Sequence, residues 1–184
     1  DPMWVSISVG FAVFYLLAVL RLRKRGDTWP VHRTIAWLVG LAGLFYVTSG
    51  GAAIYGKVLF SSHMIQHMVL VMIVPIPLVM GAPITLLMRA IPARRDGSRG
   101  VREWVLAIVH SRYASFFSHP IVAAINFAGS LIVFYYSGIM YPAMDTHIGH
   151  ELMIVHFLLA GYFFAQSIIG VDPGIKQYPY PVRL

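Results

Sequence analysis

The sequence contains no cysteine and few charged residues. The absence of cysteine excludes disulfide bonds, thiolate zinc sites and thiol chemistry. Only 11% of the residues are charged, whereas a soluble domain carries about 25%. Hydrophobic residues make up 58% of the chain, and the mean hydropathy is +0.72. This excess is too large for one buried core. The composition therefore predicts a membrane-embedded protein and excludes a soluble enzyme, a disordered tail and a disulfide-stapled secreted domain.

The sequence also lacks the motifs that would indicate an enzyme. It shows no nucleophile paired with a base, no phosphate-binding loop and no glycine-rich nucleotide motif, so we predict no catalytic activity. No acidic residue lies in the middle of an apolar stretch, which argues against a proton or ion transporter. The 14 lysines and arginines outnumber the 7 acidic residues. In a membrane protein, the positions of basic residues indicate which loops are cytoplasmic. We therefore do not interpret their excess as a sign of nucleic-acid binding, and we expect no nucleic-acid partner.

Five apolar stretches of 18 to 23 residues are separated by polar segments. A helix rises about 1.5 Å per residue, so each stretch is long enough to cross a hydrocarbon core of about 30 Å. The sequence therefore predicts an all-α, polytopic bundle of five transmembrane helices in a single domain, residues 1–184. The stretches are residues 3–20, 34–56, 61–82, 119–137 and 148–170.

The basic residues are distributed unevenly among the loops. All but Lys57 of the 14 lysines and arginines follow the first, third or fifth stretch. Basic loops stay in the cytoplasm, so we predict an outward N-terminus and cytoplasmic basic loops. The longest cytoplasmic loop is residues 83–118. Apolar residues at helical spacing from Val101 to Phe117 predict an amphipathic helix at the membrane interface within this loop.

Two histidines lie one turn apart near the start of the third predicted helix. His63 and His67 are four residues apart and therefore share one face. Met64, Met68 and Met72 follow at the same spacing on an adjoining face. Imidazole and thioether ligands together suit copper. Interhelical hydrogen bonds for the histidines and lipid-facing packing for the methionines would explain the same pattern without a metal.

The fifth predicted helix carries a second group of candidate ligands. His150, Met153 and His156 follow one another at intervals of three residues and span about 120° of one face. If the third and fifth helices touch, these residues and the two histidines of the third helix converge in the outer leaflet as one metal site. The sequence alone does not establish that contact.

Polar residues beside these ligands are candidates for orienting them or for attracting a cation. A histidine that binds a metal usually donates its second ring N–H to a polar partner. Gln66, Glu151 and Asp145 are the candidates for this role, and His147 is expected at the outer rim with Glu151.

Pro75 and Pro77 interrupt the inner half of the third predicted helix. Neither residue has an N–H group, so the carbonyls of Val71 and Ile73 lose their helical partners. Neighbouring helices or water must satisfy these carbonyls inside a membrane. The sequence therefore predicts a kink or an unwound turn at this place.

Together, these motifs resemble the polytopic CtaG family of caa3-type cytochrome c oxidase assembly factors. The most specific similarity is the run Phe60-Ser-Ser-His-Met-Ile-Gln-His-Met68, followed by Pro75 and by Gly81-Ala-Pro83. A second similarity runs from His147 through His150, Met153 and His156 and closes with Gly170-Val-Asp-Pro173. The resemblance covers essentially the whole chain.

The resemblance implies a non-enzymatic protein of the bacterial plasma membrane that helps to mature a haem–copper oxidase. Oxidase subunits are the implied partners, and copper is the implied ion. His63, His67, His150 and His156 are the candidate copper ligands at the matched positions. Family members are longer and have more spans, so we expect this chain to be a fragment.

Two other functions are compatible with the residues. One is a haem b-binding electron carrier, with His67 and either His150 or His156 as axial ligands. The other is a non-catalytic accessory subunit of a respiratory complex, in which the histidines only form hydrogen bonds between helices.

Overall fold

A computed structural model describes residues 2–51, 60–92, 100–138 and 146–172. Every regular element in these ranges is helical, which confirms the all-α prediction. Asp145 and Lys57 lie outside the described residues. The helices, numbered in chain order, are α1 (Pro2–Lys24), α2 (Val31–Ser49), α3 (Phe60–Met68), α4 (Pro75–Met80), α5 (Pro83–Ala90), α6 (Val101–Val109), α7 (Arg112–Phe117), α8 (Pro120–Tyr136) and α9 (His147–Ile169).

Within the described ranges, four helical segments are long and apolar enough to cross a membrane, judged by length and composition. They are Pro2–Lys24, Val31–Ser49, Ser61–Ala90 and His147–Ile169. A fifth apolar helix, α8, has 17 residues, which is about the lower limit for a span. These segments confirm the predicted polytopic bundle.

Two long-range hydrogen bonds show how α1 runs relative to α5. The Tyr15 hydroxyl donates to the Gly81 carbonyl oxygen at 2.7 Å, and the Arg25 guanidinium donates to the Ala90 carbonyl oxygen at 3.2 Å. α1 and α5 therefore run side by side in the same direction. We call the end of the bundle where α1 finishes the basic end, and the end where α1 and α9 begin the histidine end. The side of the membrane that each end faces stays a prediction.

The third segment is irregular where the two prolines predict a kink. A π-helical turn, Val69–Ile73, separates α3 from α4, which begins at Pro75. Because Pro75 has no N–H for the Val71 carbonyl, the usual pattern breaks there. The Val74 N–H bonds the Val69 carbonyl oxygen at 3.0 Å, one residue further back than in an α-helix.

The third segment continues for eight residues beyond the end that the sequence predicts. Ala82 adopts the left-handed conformation, with φ of 47°, and the helix then resumes as α5. Proline is tolerated in the first turn of a helix because its missing N–H has no intrahelical partner there. Pro83 therefore begins a helix, and the first part of the predicted loop 83–118 is helical.

Asp172, just beyond the end of α9, is fully buried and caps α5. Its carboxylate accepts hydrogen bonds from the backbone N–H groups of Ile84 and Thr85, at 3.3 and 2.7 Å, and from the Thr85 hydroxyl. The Gln166 side chain donates to the Asp172 carbonyl oxygen at 3.4 Å. The first N–H groups of a helix have no partner within it. Asp172 satisfies two of them and ties α9 to α5 at the basic end.

Replacing Asp172 with alanine is expected to lower the free energy of unfolding by about 1.5–3 kcal/mol, because buried N–H groups of α5 lose a charged acceptor. Thermal unfolding in detergent, followed by circular dichroism, measures the effect. Asp27→Ala is the matched control, since the ion pair of Asp27 with Arg89, at 3.7 Å, is exposed to solvent. Equal melting temperatures for the two variants would contradict the capping role.

The segment between the third and fourth spans contains two short helices. The spacing predicts one helix from Val101 to Phe117, whereas the structure has α6 and α7 with a break at His110 and Ser111. The Ser111 hydroxyl accepts the Ala114 N–H at 3.1 Å and so begins the second helix. On α6, Val101 and other large apolar side chains are exposed. This exposure suits a helix on a membrane surface, and that location stays a prediction.

Candidate metal centre

Three histidines from two helices meet at the histidine end of the bundle. One ligand nitrogen from each of His63, His67 and His150 lies within 4.8 Å of the other two. The Nε2 atoms of His63 and His67 are 2.9 Å apart. The centroid of the His150 ring is 5.7 Å from that of His63 and 6.1 Å from that of His67. We call these three residues the histidine cluster.

The cluster forms where the histidine rings of α3 meet the first turns of α9, which packs along the π-helical turn and α4. The two α3 histidines share a face, as their spacing of four residues predicts. The His67 ring also contacts Phe157 of α9, with ring centroids 5.4 Å apart. Further along, Gly161 lets α9 approach the π-helical turn closely, since a Cβ there would lie 2.1 Å from the Val71 carbonyl oxygen. This close approach places the rings of the two helices together.

The donor set of the cluster fits a transition-metal ion. The His63 and His67 side chains are buried, with 6% and 4% exposure, and His67 Nδ1 is buried without a hydrogen-bond partner in the described part of the chain. Two nitrogen ligands at about 2.0 Å from one ion lie about 3–3.5 Å apart. The two Nε2 atoms of His63 and His67 are 2.9 Å apart, and no separation in the cluster exceeds 4.8 Å, so the three nitrogens lie close to that range. Imidazole ligands suit copper, zinc, iron and nickel.

Comparison with known proteins decides the family. The model for the cytochrome c oxidase caa3 assembly factors matches residues 13–184. The chain belongs to this family. It is 42% identical over its whole length to uncharacterized proteins of Mycobacterium bovis and Mycobacterium tuberculosis, and 40% identical to one of Mycobacterium leprae. The chain spans 28% of the length of each of these relatives. No solved structure shows a significant match.

In this caa3 assembly-factor chain, one of the predicted ligands, His156, lies apart from the cluster. His156 Nε2 is 2.7 Å from the Ser130 hydroxyl of α8, and the His156 ring packs against Phe134 at 5.8 Å between centroids. Met153 is 3% exposed and belongs to the hydrophobic core. His156 therefore connects α9 to α8, whereas the part of Met153 in metal binding stays a prediction. The spacing along α9 could not separate this packing role from metal binding, because both favour the inward face of the helix.

Two of the three methionines of the third segment lie on the surface of the bundle. Met68 and Met72 are exposed on the bundle surface, and Met64 is half-buried. Exposed apolar side chains on a membrane helix face lipid. The exposure of Met68 and Met72 suits lipid-facing packing, and a methionine contribution to the metal site stays a prediction.

The predicted polar neighbours of the site contact other helices. The Gln66 amide nitrogen donates to the Val47 carbonyl oxygen of α2 at 3.1 Å. Glu151 accepts a hydrogen bond from the Trp4 indole of α1 and lies 3.8 Å from His147. Trp4 was not predicted at the site, because no pattern in the sequence links a tryptophan of the first helix to the fifth predicted helix.

Proposed function

We propose that this protein binds copper during the assembly of a haem–copper oxidase, with the histidine cluster as the binding site. The observation that carries the proposal is the convergence of three imidazoles from two helices within 4.8 Å. Buried ionisable side chains inside a membrane are costly and are typical of functional sites. Membership of the caa3 assembly-factor family supplies the biological context.

Three histidines suit an ion that is bound and later passed on. They leave one position of a four-coordinate ion open, and a ligand from a second protein can occupy that position before the ion leaves. Among the described residues, no carboxylate belongs to the cluster. In this proposal copper is cargo and oxidase subunits are the partners. No bond of a substrate is made or broken.

The proposal also includes an orientation in the bacterial plasma membrane. The basic residues at the end of α1 favour a cytoplasmic location for the basic end. The histidine end would then face outward, where copper is supplied from outside the cytoplasm. Fusion of a reporter enzyme to each end of the chain tests this orientation.

The close contact within the cluster favours copper over haem b. A haem iron with two axial histidines needs the macrocycle between the two imidazoles. His67 Nε2 instead lies 2.9 Å from His63 Nε2, so His63 occupies the space beside it. His156, one of the two proposed axial partners of His67, hydrogen-bonds Ser130.

We expect the detergent-purified protein to bind about one copper per chain, because one cluster of three imidazoles holds one ion. Elemental analysis after incubation with copper measures the content. A reduced-minus-oxidised absorbance spectrum of the same sample is expected to show no haem bands. Haem b bands would favour the electron carrier. Neither copper nor haem would contradict the proposal and favour an accessory subunit.

A further inference from the structure

A carboxylate and an imidazole lie on the first turns of α9, outside the histidine cluster. Glu151 and His147 are one turn apart, with 3.8 Å between Glu151 Oε1 and His147 Nε2. The His147 side chain is 70% exposed and that of Glu151 is 12% exposed. The other carboxylate oxygen, Oε2, accepts the hydrogen bond from the Trp4 indole. Glu151 is therefore held by α1 on one side and faces His147 on the other.

The carboxylate oxygen that faces His147 lacks a hydrogen bond. Glu151 Oε1 is buried and has no hydrogen-bond partner in the described part of the chain. A buried carboxylate oxygen without a partner is unfavourable. Its distance of 3.8 Å from His147 Nε2 is too long for a hydrogen bond. Two ligands of one cation, each at about 2.1 Å, lie about 3–4 Å apart, so a bound cation would satisfy this oxygen.

Exposure decreases from this pair towards the cluster. His147 is mostly exposed, Glu151 is largely buried, and His63 and His67 are almost completely buried. His150 connects the His147–Glu151 pair with the cluster along α9, because it follows His147 by three residues and is itself a member of the cluster. Side chains three or four residues apart on a helix are neighbours. An ion held by the pair is therefore about one helical turn from the nearest ligand of the cluster.

We propose that His147 and Glu151 form a loading site that captures Cu²⁺ from water and passes it to the histidine cluster. This inference rests on the proposed function. A nitrogen–oxygen donor pair suits Cu²⁺, and the negative carboxylate attracts the cation. In the transfer, Cu²⁺ leaves the Glu151 carboxylate and the His147 imidazole and binds the three imidazoles of the histidine cluster. The copper keeps its oxidation state, so no reductant is required.

The test measures how fast the detergent-purified full chain takes up Cu²⁺, by stopped-flow absorbance, and separately how much copper it holds at equilibrium. Glu151→Gln is expected to load at least about tenfold more slowly, since it removes the charge that concentrates the cation. It keeps an acceptor for the Trp4 indole. His147→Ala is expected to slow loading as well. Both variants are expected to reach the copper content of the unsubstituted protein.

Asp27→Asn is the matched control, because it removes one carboxylate at the opposite end of the bundle, beside Arg89. It is expected to load at the normal rate. A normal rate in Glu151→Gln with normal copper content would overturn the loading site and leave the cluster unaffected. Loss of equilibrium copper in Glu151→Gln would also overturn it, since the carboxylate would then hold the stored ion. No uptake by the unsubstituted protein would overturn the proposed function itself, and this inference with it.

Discussion

Replacing His67 with alanine is expected to weaken copper binding by about 100-fold or more. Loss of a residue that only orients a metal ligand already costs about 10- to 100-fold in affinity, and His67 is proposed as a direct ligand. Its ring nitrogen contacts His63, and its side chain is 4% exposed, so water cannot easily replace the lost imidazole. His150→Ala is expected to act in the same direction. Copper competition with a chelator of known affinity measures the change.

His156→Ala is the matched control for these variants. His156 is a histidine of the same helix, but it hydrogen-bonds Ser130 and lies outside the cluster. Its replacement is expected to leave copper affinity within about twofold. His32→Ala and His110→Ala, which change histidines near the basic end, are expected to be neutral too. Equal copper affinity in all variants would contradict the cluster as the binding site.

The same variants test the proposed role in oxidase assembly. In cells that depend on the full-length protein, His67→Ala and His150→Ala are expected to lower the copper content and activity of the haem–copper oxidase. His156→Ala is expected to support normal maturation. Normal oxidase maturation together with loss of copper binding would separate the metal site from the assembly function.

Replacing Gly161 with valine is expected to destabilise the bundle. Even the Cβ would lie 2.1 Å from the Val71 carbonyl oxygen and 2.8 Å from Pro75 Cγ. Neither atom belongs to a flexible side chain, so α9 must move away from the π-helical turn. Overpacking of this kind costs about 1–3 kcal/mol, and sometimes more. Thermal unfolding in detergent measures the loss.

Gly129→Val is the matched control for this change. Gly129 lies on α8, and a Cβ there would meet nothing within 4 Å. The helix propensity of the two substitutions is the same, so the difference in melting temperature reports the packing of α9 against the third segment alone. Because that packing also brings the cluster together, Gly161→Val is expected to reduce copper retention. A melting temperature equal to that of Gly129→Val would show that the two helices are further apart than described.

The span pattern is predictable from the sequence because it is a local property. In lipid every backbone polar group must be paired within the segment, so an apolar stretch of sufficient length forms a helix whatever its neighbours are. The irregular turn was predictable for the same reason, since Pro75 removes one specific N–H. The end of the third segment was not predictable, because a proline can either end a helix or begin one. Asp172, which lies far along the sequence, caps α5 and so stabilises the helix that begins at Pro83.

The composition of the candidate site was only partly predictable. The spacing of His63 and His67 placed them on one face of a helix, and the contact geometry of the chain adds His150. The same spacing rule also predicted His156 and Met153 as ligands. In the structure, His156 hydrogen-bonds Ser130 of α8, and Met153 lies in the hydrophobic core. Periodicity identifies the inward face of a helix but not which neighbouring helix each inward residue meets.

The sequence by itself determined that this protein is an all-α membrane bundle with paired histidines near one end, because hydrophobic length and residue spacing are properties of each helix alone. Only the tertiary structure decided which helices touch. The contact of α3 with α9 depends on the missing side chain of Gly161 and on the shape of the π-helical turn. The pairing of Trp4 with Glu151 depends on the start of α1 coming close to the start of α9. Such contacts join distant parts of the chain, and local patterns carry no information about them.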